Sequence, residues 1–407
     1  MNLREQRGKE IATTRAIRKK GSMYLVPSQA GTGLYQVSIT AESESCTCPD
    51  YQTRQQTCKH LYALAYYMMR ELNPDGSETV TEVTVTATKR KTYPQNWKAY
   101  NAAQVEEQDR FQLLLRDLCQ NLQTVPPKTG RPPLPLSDAV FCATFKVYST
   151  VSQRRFMSDL RESHERGFIS KVPHFNCISN ALENPALTPI LRKLITESSL
   201  PLKSVETNFA VDSTGFTTSR FIRWFDHKYG KPRQRHEWVS VHATTGVKTN
   251  IITAVEVGER YSGDSPYFAP MIKATAENFQ IGEVSADTAY CNNKNAAEVV
   301  NAGGTPFMTF RVNATGDSGP YYKQMFHYFN YRREEFLQHY HKRSNVESTF
   351  SMIKRKFGDS LRSRTDTAMT NEALCKILCH NLVVLIHEMH ELGIEPVFWT
   401  KLTTSPS

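Results

Sequence analysis

Apolar positions recur along the chain with two different periods, and the changes between them mark its parts. Tyr24-Leu25-Val26 and Leu34 to Ile39 flank a Gly31-Thr32-Gly33 turn, which predicts a hairpin. From His60 to about Leu72 the apolar residues Leu61, Leu64, Ala65 and Met68 fall at helical spacing, and Asn73-Pro74-Asp75-Gly76 ends the run. The Thr/Val-rich stretch 77–98 reads as a linker. A polar amphipathic helix is expected over 99–123, with Phe111, Leu114, Leu115 and Leu118 on its apolar side. Val125 to Pro135 is too rich in proline for either regular element and predicts a semi-rigid connection. Helical periods dominate 137–199, broken at Ser149-Thr150, Gly167 and Asn184-Pro185. Those proportions suit a DNA-binding helix-turn-helix, and equally any small helical bundle.

After Pro201 the pattern changes to strand, turn, strand. Phe209-Ala210-Val211-Asp212 is a short apolar run ending on an acid. His236 to Ala243 and Val247 to Val257 alternate with period two around Thr244-Thr245-Gly246, a predicted hairpin. Ser265-Pro266 has the form of an N-cap followed by proline at the first helical position, so a helix is expected over 266–277. Ile281 to Ala286 predicts a strand that exits on Asp287, and Pro306 to Phe310 another, with helices from there to about residue 392. Strands first and helices later, with one crossing helix, indicate an α/β domain built on a mixed sheet.

One stretch, Tyr340 to Lys354, carries two stripes if it is read as a single helix at about 100° per residue. Val346, Phe350, Ile353 and Phe357 form an apolar face fit to pack on a core. Tyr340, Arg343, Glu347 and Lys354 fall within about 60° of one another on a neighbouring face. One acid is thereby set among two cations and a phenol, beside a buried seam.

Charge sharpens this picture. The 407 residues carry a net charge of +10, a balance that favours a polyanionic partner. Residues 219–235 hold Arg220, Arg223, Lys228, Lys231, Arg233 and Arg235 against the single acid Asp226, and residues 332–364 hold nine Lys/Arg against four acids. No run of 18 apolar residues predicts a membrane span, and the basic start, Met1 to Lys20, lacks the apolar core of a secretory signal. The expected location is therefore the cytoplasm. Nine cysteines, three of them within residues 46–58, then point to metal ligation rather than disulfides.

The cysteines form the pattern Cys46-x-Cys48-x9-Cys58-x-His60. A structural zinc site takes four thiolate or imidazole donors in a tetrahedron, and this stretch offers four within fifteen residues. With all four positions filled by protein, none is left for water, so the zinc would be structural. The pattern, with a hairpin before it and a helix after it, resembles a SWIM-type zinc finger. That resemblance implies a small zinc-stabilised module over 1–76 that binds DNA or protein.

Three acids, Asp212, Asp287 and Glu347, form the second constellation. Two-metal phosphodiester chemistry needs carboxylates converging where divalent ions sit about 3.5–4 Å apart, and acids at strand ends plus one on a packed helix could supply them. Asp226, Asp264 and Asp317 compete on spacing alone. Tyr340-x2-Arg343-x3-Glu347-x6-Lys354 fits the Y-(2)-R-(3)-E-(6)-K signature of DDE-type insertion-sequence transposases. Val211-Asp212-Ser213-Thr214-Gly215 and Ala286-Asp287-Thr288-Ala289-Tyr290 are similar to the segments bearing the first and second acids, and Gly263-Asp264-Ser265-Pro266-Tyr267 to a connector between them. The resemblance, over roughly residues 130–390, implies a ribonuclease H-like catalytic domain at 201–395, after a helical, DNA-binding domain at 99–200. It implies that Asp212, Asp287 and Glu347 hold two Mg²⁺ (or Mn²⁺) ions, that Arg343 and Lys354 hold DNA phosphates, and that Tyr340 lies against the DNA end. It further implies cleavage at element ends and strand transfer, DNA terminal repeats and target DNA as partners, and a homo-oligomer on that DNA, at the nucleoid in a bacterial cell. A structure-specific nuclease of the same fold, or a DNA-binding protein without cleavage, are the alternatives.

Overall fold

In the first part of the chain, the alternating residues become an antiparallel pair, β2 (Met23–Pro27) and β3 (Leu34–Ile39), with Tyr24 opposite Val37. Strands β1 (Arg18–Lys20) and β4 (Glu44–Cys46) complete a four-stranded sheet in the order β1-β2-β3-β4. Two helices, α1 (Leu3–Thr14) and α3 (Lys59–Tyr67), pack together, and a short α2 (Pro49–Arg54) lies between the cysteines in sequence. A Cβ at Gly8 would meet the Tyr62 Cβ at 2.5 Å and the Lys59 carbonyl at 2.8 Å, so only glycine lets α1 approach α3 this closely. Ile11, Val26, Val37, Leu61 and Leu64 form the core.

The computed structural model describes residues 3–29, 33–39, 43–72, 78–82, 96–123, 134–218, 238–258, 262–311 and 313–399. It divides the chain into two units, Met1–Pro94 and Gln95–Ser407. The helix expected to run to Leu72 stops at Tyr67. Met68–Leu72 (β5) pairs instead with Glu78–Glu82 (β6), antiparallel. The start of the Thr/Val-rich stretch is thus strand, as its β-branched residues favour once a partner is beside them. The remainder of that stretch, most of the proline-rich connection and the basic segment 219–235 lie outside the described residues.

The second unit is built on a five-stranded sheet in the order β11-β10-β7-β8-β9. The long central strand β7 (Asn208–Thr217) runs antiparallel to β8 (Trp238–Gly246), which pairs antiparallel with β9 (Ile252–Val257). On its other side β7 is parallel to β10 (Glu283–Ala286), and β10 is parallel to β11 (Thr305–Met308). This mixed α/β sheet is ribonuclease H-like. The crossover into β10 is the expected helix, preceded by a 3-10 turn, Ser265–Tyr267, and running as α9 over Phe268–Ala276. The β8–β9 turn falls at 247–251, three residues later than the sequence predicts. Thr244 and Thr245 are fully buried and paired in the sheet, and Asn250, with φ of 66°, takes the turn conformation. Buried Glu206 anchors that turn, accepting from the Thr249 backbone N–H and hydroxyl.

Helices cover the sheet on both faces. On one, α9, α10 (Asn293–Asn301), α11 (Pro320–Tyr331) and α12 (Arg333–Tyr340) pack around Phe209, Phe268, Phe307 and Phe336. On the other, α4 (Trp97–Cys119), α5 (Leu136–Ser149), α6 (Gln153–Glu165), α7 (Phe175–Glu183) and α8 (Leu187–Ser199) share a core with the sheet and with α14 (Asp366–Glu391). The breaks between these helices fall at Ser149-Thr150, Gly167 and Asn184, where the sequence places them. Helix α14 is long and apolar enough to cross a membrane, but 89% of its most apolar window is buried inside the protein. Its buried Asn381 accepts from the Ile252 N–H and donates to the Ile252 carbonyl, which satisfies the outer edge of β9.

Candidate active site and metal centre

The stretch from Tyr340 to Lys354 is not one helix. It comprises the end of α12, a 3-10 turn over His341–Arg343, and α13 (Ser344–Phe357). The turn is pinned by Glu283 at the start of β10, which accepts from Lys342 at 2.6 Å and pairs with the His339 ring at 3.0 Å. Burial pushes the Glu283 carboxyl up, but Lys342 and His339 together outweigh it and hold it below its ordinary value. The apolar stripe behaves as its spacing predicts: Val346, Phe350, Ile353 and Phe357 are all buried against the sheet.

This turn aims Arg343 at three carboxylates. Its guanidinium lies 3.0 Å from Asp212, 3.9 Å from Asp287 and 2.7 Å from Glu347. Asp212 sits midway along β7 with its side chain 15% exposed, and the Ser213 N–H donates to it at 2.9 Å. Asp287 follows β10 directly and caps a 3-10 turn, accepting from the Thr288 N–H at 2.6 Å. Glu347, in the first turn of α13, is 57% exposed. Parallel pairing sets Ala286 beside Val211, so Asp287, just past the end of β10, comes level with Asp212 in the middle of β7. Burial raises the Asp212 carboxyl above its ordinary value, with Arg343 opposing. Arg343 itself is raised: burial works against its charge, but Asp212 and then Tyr340, Asp287 and Glu347 hold it ionised. Three acids already gathered around one cation are a donor set that suits divalent metal.

Sequence reasoning did not single out the groups beneath these acids. Asp264, a competitor of the three acids on spacing alone and a member of the connector segment, accepts from the Ser213 hydroxyl at 3.3 Å. Buried His242 on β8 lies 3.1 Å from the Tyr290 hydroxyl and 4.0 Å from Asp264, and stacks on Tyr267. Burial lowers the His242 imidazole below its ordinary value, Asp264 opposing. Ser213 follows Asp212 and Tyr290 closes the turn that Asp287 caps, so this chain of contacts braces both acid segments. The connector resemblance at Gly263 to Tyr267 was the one signal pointing there.

The other signature residues divide. Tyr340 is half-buried and its hydroxyl accepts from Thr309 at 3.3 Å. Lys354 lies over the Phe216 ring at 5.7 Å and lines a cavity of about 670 Å³ with Asp212, Glu347, Arg355 and Asp359. Part of the nearby cation excess is neutralised within the fold: Lys356 pairs with Glu107, and Lys342 with Glu283.

In the first unit Cys46, Cys48, Cys58 and His60 are all buried, with their donor atoms within 4.8 Å of one another. The Cys46 and Cys58 sulfurs each lie 3.9 Å from His60 Nδ1. Tetrahedral zinc with Zn–S of about 2.3 Å sets its sulfur ligands about 3.8 Å apart, so the donors fit the ion. Hydrogen bonding from Cys46 holds the Cys58 thiol well below its ordinary value, with burial opposing, and Cys46 is correspondingly raised. The β3–β4 pairing delivers Cys46 opposite Val37, and Cys58 stands at the N-cap of α3, which carries His60.

Two family models match parts of the chain. Residues 203–382 match the family model described as the transposase DDE domain, and residues 35–68 match the SWIM zinc finger. Among solved structures, a cryo-EM structure of piggyBac transposase in a synaptic complex with hairpin DNA is similar at 11% identity. That match covers 70% of this chain and 77% of the other, at a TM-score of 0.37, too slight to inform mechanism. No curated protein matches the chain.

Proposed function

Since the chain is a transposase with a DDE domain and a SWIM zinc finger, we propose that Asp212, Asp287 and Glu347 are its catalytic acids. They would hold two Mg²⁺ or Mn²⁺ ions, cleave DNA at the ends of an insertion sequence and join those ends to target DNA. The observation that carries this is the convergence of all three carboxylates on the one Arg343 guanidinium. Divalent ions among such acids activate the attacking oxygen and stabilise the leaving one. The chain's own groups do the positioning. Ser213 and Thr288 backbone donors orient Asp212 and Asp287, while exposed Glu347 is free to adjust its rotamer. Arg343, once released from the carboxylates, has a planar fork suited to a DNA phosphate. Lys354 faces the same cavity and would contact a second phosphate.

Zinc at Cys46, Cys48, Cys58 and His60 would stabilise the first unit. Residues 1–76 form its module in this reading, 77–98 the linker, 99–200 a helical region contributing to DNA binding, and 201–395 the catalytic domain. Tyr340 would approach the DNA end. The working complex is a homo-oligomer on paired terminal repeats, in a bacterial cell at the nucleoid. Neither a nuclease without strand transfer nor a non-cleaving DNA-binding protein is favoured, because the matched family is one of transposases. Asp287→Asn tests the assignment: cleavage of a DNA substrate carrying the element end should fall by at least about 10³-fold, with DNA affinity kept. Cleavage at the wild-type rate would remove Asp287 from the site.

A further inference from the structure

A second cavity, of about 430 Å³, lies between the helices α5 to α7 and the loop joining α13 to α14. Four cations line it, Lys146, Arg362, Arg364 and Lys376, against the acids Glu183 and Glu372. Glu372 is already engaged by the backbone N–H groups of Arg362 and Ser363. Lys376 donates to the Gly358 and Ser360 carbonyls at 2.8 and 2.9 Å, fixing the loop. Lys146 differs. Its residue is 8% exposed, and among the described residues its ammonium has no hydrogen bond or ion pair, only the Phe156 ring at 6.0 Å. Burial lowers it to about 8, nearby Arg362 acts in the same direction, and the carboxylates of Glu372 and Asp159 oppose without offsetting it. A largely buried ammonium that makes no ion pair of its own is costly to the fold, and an anion arriving in the cavity would relieve that cost.

We propose that this cavity is a phosphate site, with Lys146 as the principal ligand and Arg362 and Arg364 beside it, and that its occupant is a backbone phosphate of bound DNA. The loop supplies the argument for DNA. Gly358 and Asp359 line the cavity that holds Asp212 and Glu347, while Arg362, Ser363 and Arg364 line this one. Hydrogen bonds from Thr217 and Leu361 stitch the loop to the end of β7, so both cavities share one braced wall. The DNA part rests on the transposase reading; the anion site does not.

Titration of the full chain with inorganic phosphate, followed by ³¹P NMR, tests it. Wild type should bind phosphate saturably, and Lys146→Met should bind it about tenfold or more weakly, the loss expected for one charge-assisted contact. Methionine fills the same volume without a buried charge, so this variant should unfold at a higher temperature than wild type, which separates lost binding from lost folding. Arg364→Gln, at an exposed position, should also weaken binding. Neither Lys146 nor Arg364 touches Asp212, Asp287 or Glu347, so failure of the catalytic assignment would leave this result untouched. A short DNA duplex should displace the phosphate. Absent saturable binding, or equal binding by Lys146→Met, overturns the site. Phosphate that a duplex does not displace overturns DNA as its occupant.

Discussion

Replacing Arg343 with methionine removes the cation around which the three acids gather. The Arg343 and Asp212 side chains are 18% and 15% exposed and 3.0 Å apart, so Asp212 would lose its counter-charge in a largely desolvated place. Breaking a buried pair from one side costs about 3–5 kcal/mol. Residual solvent access, and the small worth of the exposed Glu347 arm, reduce the expectation to about 2–3 kcal/mol. A unit of roughly 300 residues unfolds with an entropy of about 0.6 kcal/mol/K near 60 °C, so Tm should fall by about 3–5 °C. Differential scanning calorimetry in EDTA would read this directly. In an Asp212→Asn background the same substitution should cost less than about 1 kcal/mol, because the charge it leaves behind is gone. Added Mg²⁺ should narrow the deficit of the single variant by restoring a cation among the acids. An equal loss in both backgrounds would refute the reasoning, since Arg343 would then be acting through packing alone.

Two further predictions concern other parts of the chain. Cys58→Ser should leave the purified protein without stoichiometric zinc by elemental analysis and expose the first unit to proteolysis, and retention of a full equivalent would contradict the four-donor site. Lys146 is held near 8 against an ordinary 10.5, so between those values the unfolded chain binds the extra proton and the lysine's destabilising effect fades as pH rises. The stability advantage of Lys146→Met in urea denaturation should therefore shrink from pH 8 to pH 10.5, whereas a constant gap would show that folding leaves the amine at its ordinary value.

Much of this was legible from the sequence, for identifiable reasons. The stripe Val346, Phe350, Ile353 and Phe357 could be read because burial on a helix face imposes a period, and the zinc donors because they are adjacent in the chain. The acids could be put in order but not brought together, since their convergence depends on the parallel pairing of β7 with β10, which leaves no local trace. His242 carried no signal, as its role depends on Tyr290 and Asp264 approaching from other elements. Thr244-Thr245-Gly246 has turn composition, but Gly246 serves another need: a Cβ there would meet the Glu206 carboxyl at 2.5 Å. The 3-10 turn at 341–343 was missed because helical periodicity continues across it, and it is set by the tether to Glu283.

Helix α14 has a bearing on how the protein is made. The apolar faces of α4, α5 and α8, carrying Leu115, Phe145 and Leu194, close on Leu374, Leu378, Leu382 and Leu385 of this late element. Leu385 follows Leu115 by 270 residues, roughly 15–50 s of synthesis at about 5–20 residues per second. During that interval the earlier helices can pack only on one another and on the sheet, and the long-range closure on α14 makes folding slow. Until α14 emerges, the parts of those faces that it covers stay exposed on the growing chain. The same helix carries the Lys376 that fixes the loop behind Lys354, so the proposed catalytic site acquires its final shape only when the core is closed. Closing the core and shaping the proposed site thus depend on the same helix.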